Sequence, residues 1–188
     1  MSVEPWASPT LDEAHARLRA VEAAAKPRRF ETLLQRHESR LRRVAYGMLA
    51  DPSRVDDVLQ EALYRAYRKL PVRFETEQHE AAWLYRIVYR CCLNELRSRR
   101  RRRETLGVPD RPSGESVETA LASVAVAAAL AELQPDARAV VLLVDLIGLD
   151  YETAASALRI PRGTVASRLN AARASLRDAF AMLEEDGS

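Results

Sequence analysis

The 188-residue sequence contains only two cysteines, six glycines and three histidines. Cys91 and Cys92 are adjacent, which suits neither a disulfide framework nor zinc-ligand spacing; they read as small apolar core residues in reducing surroundings. Scarce glycine and the lack of sustained apolar–polar alternation argue against a sheet and for an all-α fold rich in Ala, Leu and Arg. No apolar run approaches the roughly 20 residues needed to cross a bilayer. The opening MSVEPWASPT lacks the basic leader and apolar stretch of a signal peptide, so cytoplasmic residence without membrane insertion is expected. No nucleophile lies beside a base, no metal-ligand spacing occurs and no glycine-rich loop is present to cradle phosphate. The expectation is therefore a protein that is not an enzyme, with no catalytic residue, metal, cofactor or small-molecule substrate.

Charge is unevenly spread. The formal net charge is +2, but residues 28–103 hold 19 basic against 10 acidic side chains, whereas residues 104–188 hold 7 against 13. Attraction to phosphate is thus expected to come mostly from the first half. The organisation that fits is two small helical domains joined by a flexible linker. Residues 1–27 form an N-terminal extension with a helix over 11–26, residues 28–103 a first domain, 104–116 a Gly- and Pro-containing linker, and 117–185 a second domain.

In the first domain Phe30, Leu33, Leu34, His37, Leu41, Val44, Ala45 and Met48 share one helical stripe, with His37 a core or boundary residue rather than a ligand. Asp51-Pro52 is a helix start, and the following helix buries Val55, Val58, Leu59, Ala62, Leu63 and Ala66. Asp56, Asp57, Gln60 and Glu61 crowd its early turns, either complementing the helix dipole or forming a protein-binding face. A long helix is expected over 81–103, with Leu84, Ile87, Val88 and Cys91 inward and Arg86, Tyr89, Arg90, Asn94 and Arg97 on other sides. It ends in RSRRRRR, six arginines in seven residues, which is a solvated end or a phosphate contact through Arg99, Arg100, Arg101, Arg102 and Arg103. With Trp83, Tyr85 and Tyr89 nearby, this helix combines cationic and stacking groups as single-stranded nucleic acid binding requires.

The second domain carries two short helices separated by Pro161 and Gly163 within LDYETAASALRIPRGTVASRLNAARASLR. Asp150 is placed to cap the first, and Val165, Leu169, Ala172, Leu176 and Phe180 form the buried stripe of the second. The opposite face holds Arg162, Thr164, Ser167 and Arg168. This is either an ordinary helical hairpin or a helix-turn-helix whose second helix enters the major groove.

Taken together, DPSRVDDVLQEALYRAYRKL, AAWLYRIVYRCCLNELRSRRRRR and LQPDARAVVLLVDLIGLDYETAASALRIPRGTVASRLNAARASLR resemble the bacterial RNA polymerase sigma factors of the extracytoplasmic-function (ECF) group in the sigma-70 family. The resemblance covers about residues 30–180. It implies that Asp56, Asp57, Gln60 and Glu61 contact the beta-prime clamp helices of core RNA polymerase. It implies that Arg86, Tyr89, Arg90, Asn94 and Arg97 hold the melted −10 element of promoter DNA, with the loop before that helix supplying a pocket for an extruded base. Arg162, Thr164, Ser167 and Arg168 would read the −35 element, the second domain would touch the beta flap, and an anti-sigma factor would be a further partner. Stand-alone helix-turn-helix regulation, or a sigma-like decoy that binds an anti-sigma protein, are the alternatives. Arg159 stands where this family usually has Gly in the turn; a positive φ there would cost Arg about 1 kcal/mol. Ala166 and Ala171 reduce the polar heads on the recognition helix, and Arg90 and Asn94 replace the usual Asn and Asp.

Overall fold

The computed structural model describes residues 11–106 and 121–186, which form seven α-helices and one π-helical turn with no strand. Of the expected linker, 104–106 continue the preceding helix and 107–116 lie outside the described residues, as do 1–10 of the expected extension.

Helix α1 (Leu11–Leu49) is continuous through Pro27, where the sequence suggested a separate helix over 11–26. A proline inside a helix removes one backbone donor and costs about 3 kcal/mol. Contacts with the end of α2 (Pro52–Lys69) offset that cost. Lys26 Nζ donates to the Arg68 carbonyl at 3.3 Å and lies 5.0 Å from the Tyr67 ring centre. Arg29 donates to the Pro71 carbonyl, and Phe30 meets Tyr67 edge-on at 5.2 Å.

A two-residue turn joins α1 to α2. Ala50 takes φ 50° and donates its N–H to the Tyr46 carbonyl, while Asp51 caps α2 by accepting from Ser53 N at 3.2 Å. Pro52 then occupies the first helical position, where its missing donor does no harm. Asp56 and Asp57 lie beyond the first turn, so the helix dipole gives little reason for them there.

Helix α3 (Glu77–Leu106) starts four residues before the expected 81 because the Thr76 hydroxyl accepts from His79 N at 3.1 Å. Leu84, Tyr85, Val88, Cys91 and Cys92 are buried against α1 and α2. Tyr85 is 1 % exposed, with its ring edge-on to His37, so it offers no stacking surface to nucleic acid.

The second module comprises α4 (Leu121–Glu132), α5 (Pro135–Val141), the π turn (Leu142–Leu146), α6 (Tyr151–Leu158) and α7 (Arg162–Asp186). In the π turn Ile147 N bonds to the Leu142 carbonyl five residues back, at 3.0 Å. Val140, Leu143, Ala154, Val165, Leu169 and Ala172 form its centre.

The cores of the two modules are continuous. Helix α3 packs on α6, and α1 on α4 and α5. Gly47 of α1 lies so close to Leu142 that a Cβ there would collide with the leucine side chain. Beside it the buried Arg138 guanidinium donates to the carbonyls of Met48 at 2.6 Å, Ala131 at 2.5 Å and Leu133 at 3.1 Å. Buried amide carbonyls need such donors, and here one side chain serves both modules.

Candidate nucleic-acid interface

The candidate surface on α3 divides by exposure. Arg90, Asn94 and Arg97 are exposed, whereas Arg86 and Tyr89 are half-buried beneath the second module. Arg86 Nη2 donates to the Ser156 carbonyl at 2.5 Å and lies 3.4 Å from its hydroxyl. Burial, with Arg159 and Arg90 nearby, lowers the guanidinium pKa from its ordinary value. The Tyr89 hydroxyl donates to Asp136 Oδ1 at 2.7 Å; burial first, then this carboxylate, holds its pKa far above 10.

Farther along α3 the arginines are engaged by local acids. Arg102 pairs with Glu95 at 2.9 Å and bonds Ser98, Arg100 pairs with Glu104 at 2.8 Å, and Arg99 reaches Asp51 at 3.7 Å. Arg101 is exposed, and the Arg103 side chain lies outside those described. The Arg100–Glu104 pair is exposed on both sides and contributes about 0–1 kcal/mol, so a phosphate can displace that acid at small cost.

The helix-turn-helix geometry is formed by α6 and α7. Asp150 caps α6 with both oxygens, taking Thr153 N at 2.7 Å and Thr153 Oγ1 at 3.0 Å. These bonds, the backbone one foremost, lower the carboxyl pKa. Arg159 closes α6 at φ 58°, ψ 47°, the left-handed conformation considered from the sequence. Helix α7 then begins at Arg162 rather than Thr164. Val165 and Leu169 are fully buried, which turns Arg162 and Ser167 outward; Thr164 and Arg168 are half-buried. Ser167 Oγ donates to the Thr164 carbonyl at 3.2 Å, and Arg168 Nη1 lies 3.3 Å from Asp136 Oδ2. Arg173 makes two bonds to Asp145, tying α7 to the π turn.

On α2, Asp56, Asp57, Gln60 and Glu61 are all exposed. Asp56 pairs with Arg42 at 2.6 Å and Glu61 with Arg65 at 2.5 Å, so part of the acidity is neutralised. A separate hollow of about 460 Å³ lies between α1 and the loop before α3, with Arg29, Arg36, Val72, Phe74 and Glu80 among its walls. Glu80 Oε1 takes His37 Nε2 at 3.1 Å and Arg36 at 3.2 Å. Phe74 in turn packs on Trp83 at 5.3 Å. Among the described residues no group of three or more His, Cys, Asp or Glu is arranged to hold a metal ion. No described helix is long and apolar enough to cross a membrane.

Asp136, Ser156 and Arg138 were not singled out from the sequence. Asp136 follows Gln134-Pro135 at a helix start, so its ordinary role at a positive helix end hid its second use. For Arg138, a lone cation within ARAVVLLV was the available signal.

The family model for Sigma-70 region 2 matches residues 33–102, and that for Sigma-70, region 4 matches residues 123–176. The chain belongs to the sigma-70 family. Its curated relatives place it in the ECF group. It is 32 % identical over 160 residues to the ECF RNA polymerase sigma factor SigL of Mycobacterium tuberculosis, covering 82 % of this chain and 90 % of the relative. It is 34 % identical over 170 residues to SigM of the same organism, covering 88 % and 84 %. Among solved structures, the sigma factor RpoE bound to the anti-sigma factor NepR, from Bartonella quintana, shares the fold of this sigma-70 family member. The TM-score is 0.71 at 24 % identity, over 81 % of this chain and 96 % of that one. CnrH, in complex with the cytosolic domain of CnrY, gives 0.64 at 28 % identity, over 89 % and 97 %.

Proposed function

We propose that this ECF-group chain is a transcription initiation factor: it binds core RNA polymerase, directs it to promoters and assists DNA melting. The observation that carries this reading is the presence of both sigma-70 regions, in order, on one chain. Promoter opening needs a duplex anchor and a second surface for the unpaired strand. Arg162, Thr164, Ser167 and Arg168 supply the first, at the −35 element, because the N-terminal part of a recognition helix reaches base edges in the major groove.

Arg86, Tyr89, Arg90, Asn94 and Arg97 supply the second, at the −10 element, with Arg99 to Arg103 neutralising phosphate. An extruded base loses stacking of a few kcal/mol, and the hollow beside Phe74 offers apolar contact and hydrogen-bond donors from Arg29 and Arg36 in return. Asp56, Asp57, Gln60 and Glu61 dock on the beta-prime clamp helices, and the second module meets the beta flap. The factor works in the cytoplasm, where the polymerase is, and performs no bond chemistry itself. The named neighbours in anti-sigma complexes support an anti-sigma factor as a further partner.

The test is in vitro transcription with purified core polymerase on promoters selected from a genomic library. Promoter-dependent transcripts are expected; none from a folded, polymerase-bound chain would overturn the reading.

A further inference from the structure

Helix α1 carries a basic edge that none of the surfaces described so far uses. Arg36, Arg40 and Arg43 recur at helical spacing, which puts them within an arc of about 60° when each residue advances by about 100°. That arc borders the buried stripe of Leu33, His37 and Val44 on the side toward α3, where Arg36 meets Glu80 at 3.2 Å. Glu38 lies on the opposite edge, lining a hollow with Arg42 and with Asp56 of α2.

All three arginines are exposed. Among the described residues Arg40 and Arg43 have neither a hydrogen bond nor an acidic partner, whereas Arg99, Arg100 and Arg102 of α3 lie against Asp51, Glu104 and Glu95. Close by, the Tyr85 hydroxyl is buried without a hydrogen-bond partner. Burial raises its pKa and the charges of Arg40 and Arg43 oppose the rise, so both guanidinium groups lie within electrostatic reach of it. The edge thus concentrates positive charge, and Glu80, which answers Arg36, is shared with His37 at 3.1 Å. The flanking Thr32 and Ser39 are exposed and polar, so the edge offers nothing to an apolar partner helix.

The edge also has a starting point. Arg36 stands in the wall of the hollow beside Phe74, and Arg43 lies farther along α1 by about 10 Å at 1.5 Å per residue. One strand of B-DNA carries a phosphate about every 3.4 Å along the axis, so more than one phosphate fits over this length.

We propose that Arg36, Arg40 and Arg43 form a phosphate track for the unpaired promoter strand, which leaves the hollow beside Phe74 and runs along α1. The track adds a site on α1 to the surfaces proposed on α3 and α7, and it rests on that reading of the hollow. It supplies affinity without sequence choice, because guanidinium contacts to phosphate hold the backbone and read no base.

The experiment uses the full chain with Arg40→Gln, Arg43→Gln and both together, and Arg177→Gln on the exposed side of α7 as a change of equal charge elsewhere. Fluorescence anisotropy reads binding of a labelled single-stranded oligonucleotide across a salt series, and circular dichroism reads helix content. Each track change should lower the slope of log affinity on log salt by about 0.7, and weaken binding about fivefold near 0.1 M salt. The loss should be the same for oligonucleotides of different sequence, at unchanged helix content. Arg177→Gln should alter neither slope nor affinity. On core polymerase the loss should persist with forked promoter DNA whose non-template strand is unpaired, and vanish with a duplex that carries the −35 element alone. A slope left unchanged by the double variant would overturn the proposal, and so would an equal loss from Arg177→Gln or on the −35 duplex. Calorimetry with pyrophosphate separates the two sources of phosphate: binding that the double variant abolishes while DNA affinity stays unaltered would mark a small-anion site and refute the track. Failure of the sigma reading would appear separately, as absent promoter-dependent transcription, since the salt series on the free chain needs no polymerase.

Discussion

The Arg138 guanidinium donates to the carbonyl of Met48, 90 residues earlier, at 2.6 Å, and so joins the end of α1 to α5. Its Nη2 also donates to the Ala131 and Leu133 carbonyls, and burial lowers its pKa. Arg138→Met leaves three carbonyls short of a donor and is expected to cost about 2–4 kcal/mol in urea unfolding. Arg138→Lys should recover less than half, because one ammonium does not reproduce the planar fork. Full rescue by Lys would refute the geometric requirement.

Arg159 carries a side chain where the backbone favours glycine. Its charge also lowers the pKa of Arg86. Arg159→Gly is therefore expected to stabilise the chain by about 1 kcal/mol, read as a higher denaturation midpoint. A lower midpoint would show that the arginine makes up its strain elsewhere.

Asp150 supplies a pH-dependent contribution. Its carboxyl pKa is lowered in the folded chain, so the cap stabilises above the unfolded value of about 3.9 and is lost as pH falls through the lower folded value. Asp150→Ala should cost about 1 kcal/mol at pH 7, and the gap to wild type should close in strong acid. A gap that stays constant down to the lowest pH at which both fold would contradict the assignment.

Both thiols are buried, and burial pushes their pKa up, that of Cys92 to about 12. The Arg65 guanidinium, 3.6 Å from Cys91, only partly opposes this. Maleimide labelling at pH 8 should wait on unfolding and proceed at the opening rate. Labelling of the folded chain at the rate of free cysteine would show a reactive thiol.

Asp57 and Glu61 test the docking face. Reversing them, as Asp57→Lys with Glu61→Lys, should weaken core polymerase binding by about tenfold or more while leaving DNA binding by the free chain within about twofold. Equal loss of both in a titration would move the polymerase contact elsewhere.

Helical periodicity made the interior legible. The stripes of α1, α2 and α7 could be read because Leu41, Val58 and Leu169 recur at intervals that only a buried helix face explains. The Asp51 and Asp150 caps were visible for the same local reason. Periodicity does not say what covers a face. Tyr85 could equally have pointed to solvent, and its burial depends on His37 and α1, which no local window contains. Arg86 and Tyr89 were legible as polar surface, but their partners Ser156 and Asp136 lie 70 and 47 residues away. The early start of α3 escaped because Thr76 sits in a polar run that reads as loop until its hydroxyl is seen on His79 N.

The π turn has one more residue than an α-helical turn would need, and this fixes an angular offset. Each residue of an α-helix advances the side chain by about 100°. The widened turn begins at Leu142, which packs on Gly47, and carries Asp145, which bonds Arg173. A substitution here alters one of those contacts, whereas deletion of a single residue rotates everything downstream. In this segment the chain's spacing, more than its chemistry, sets how the two halves meet.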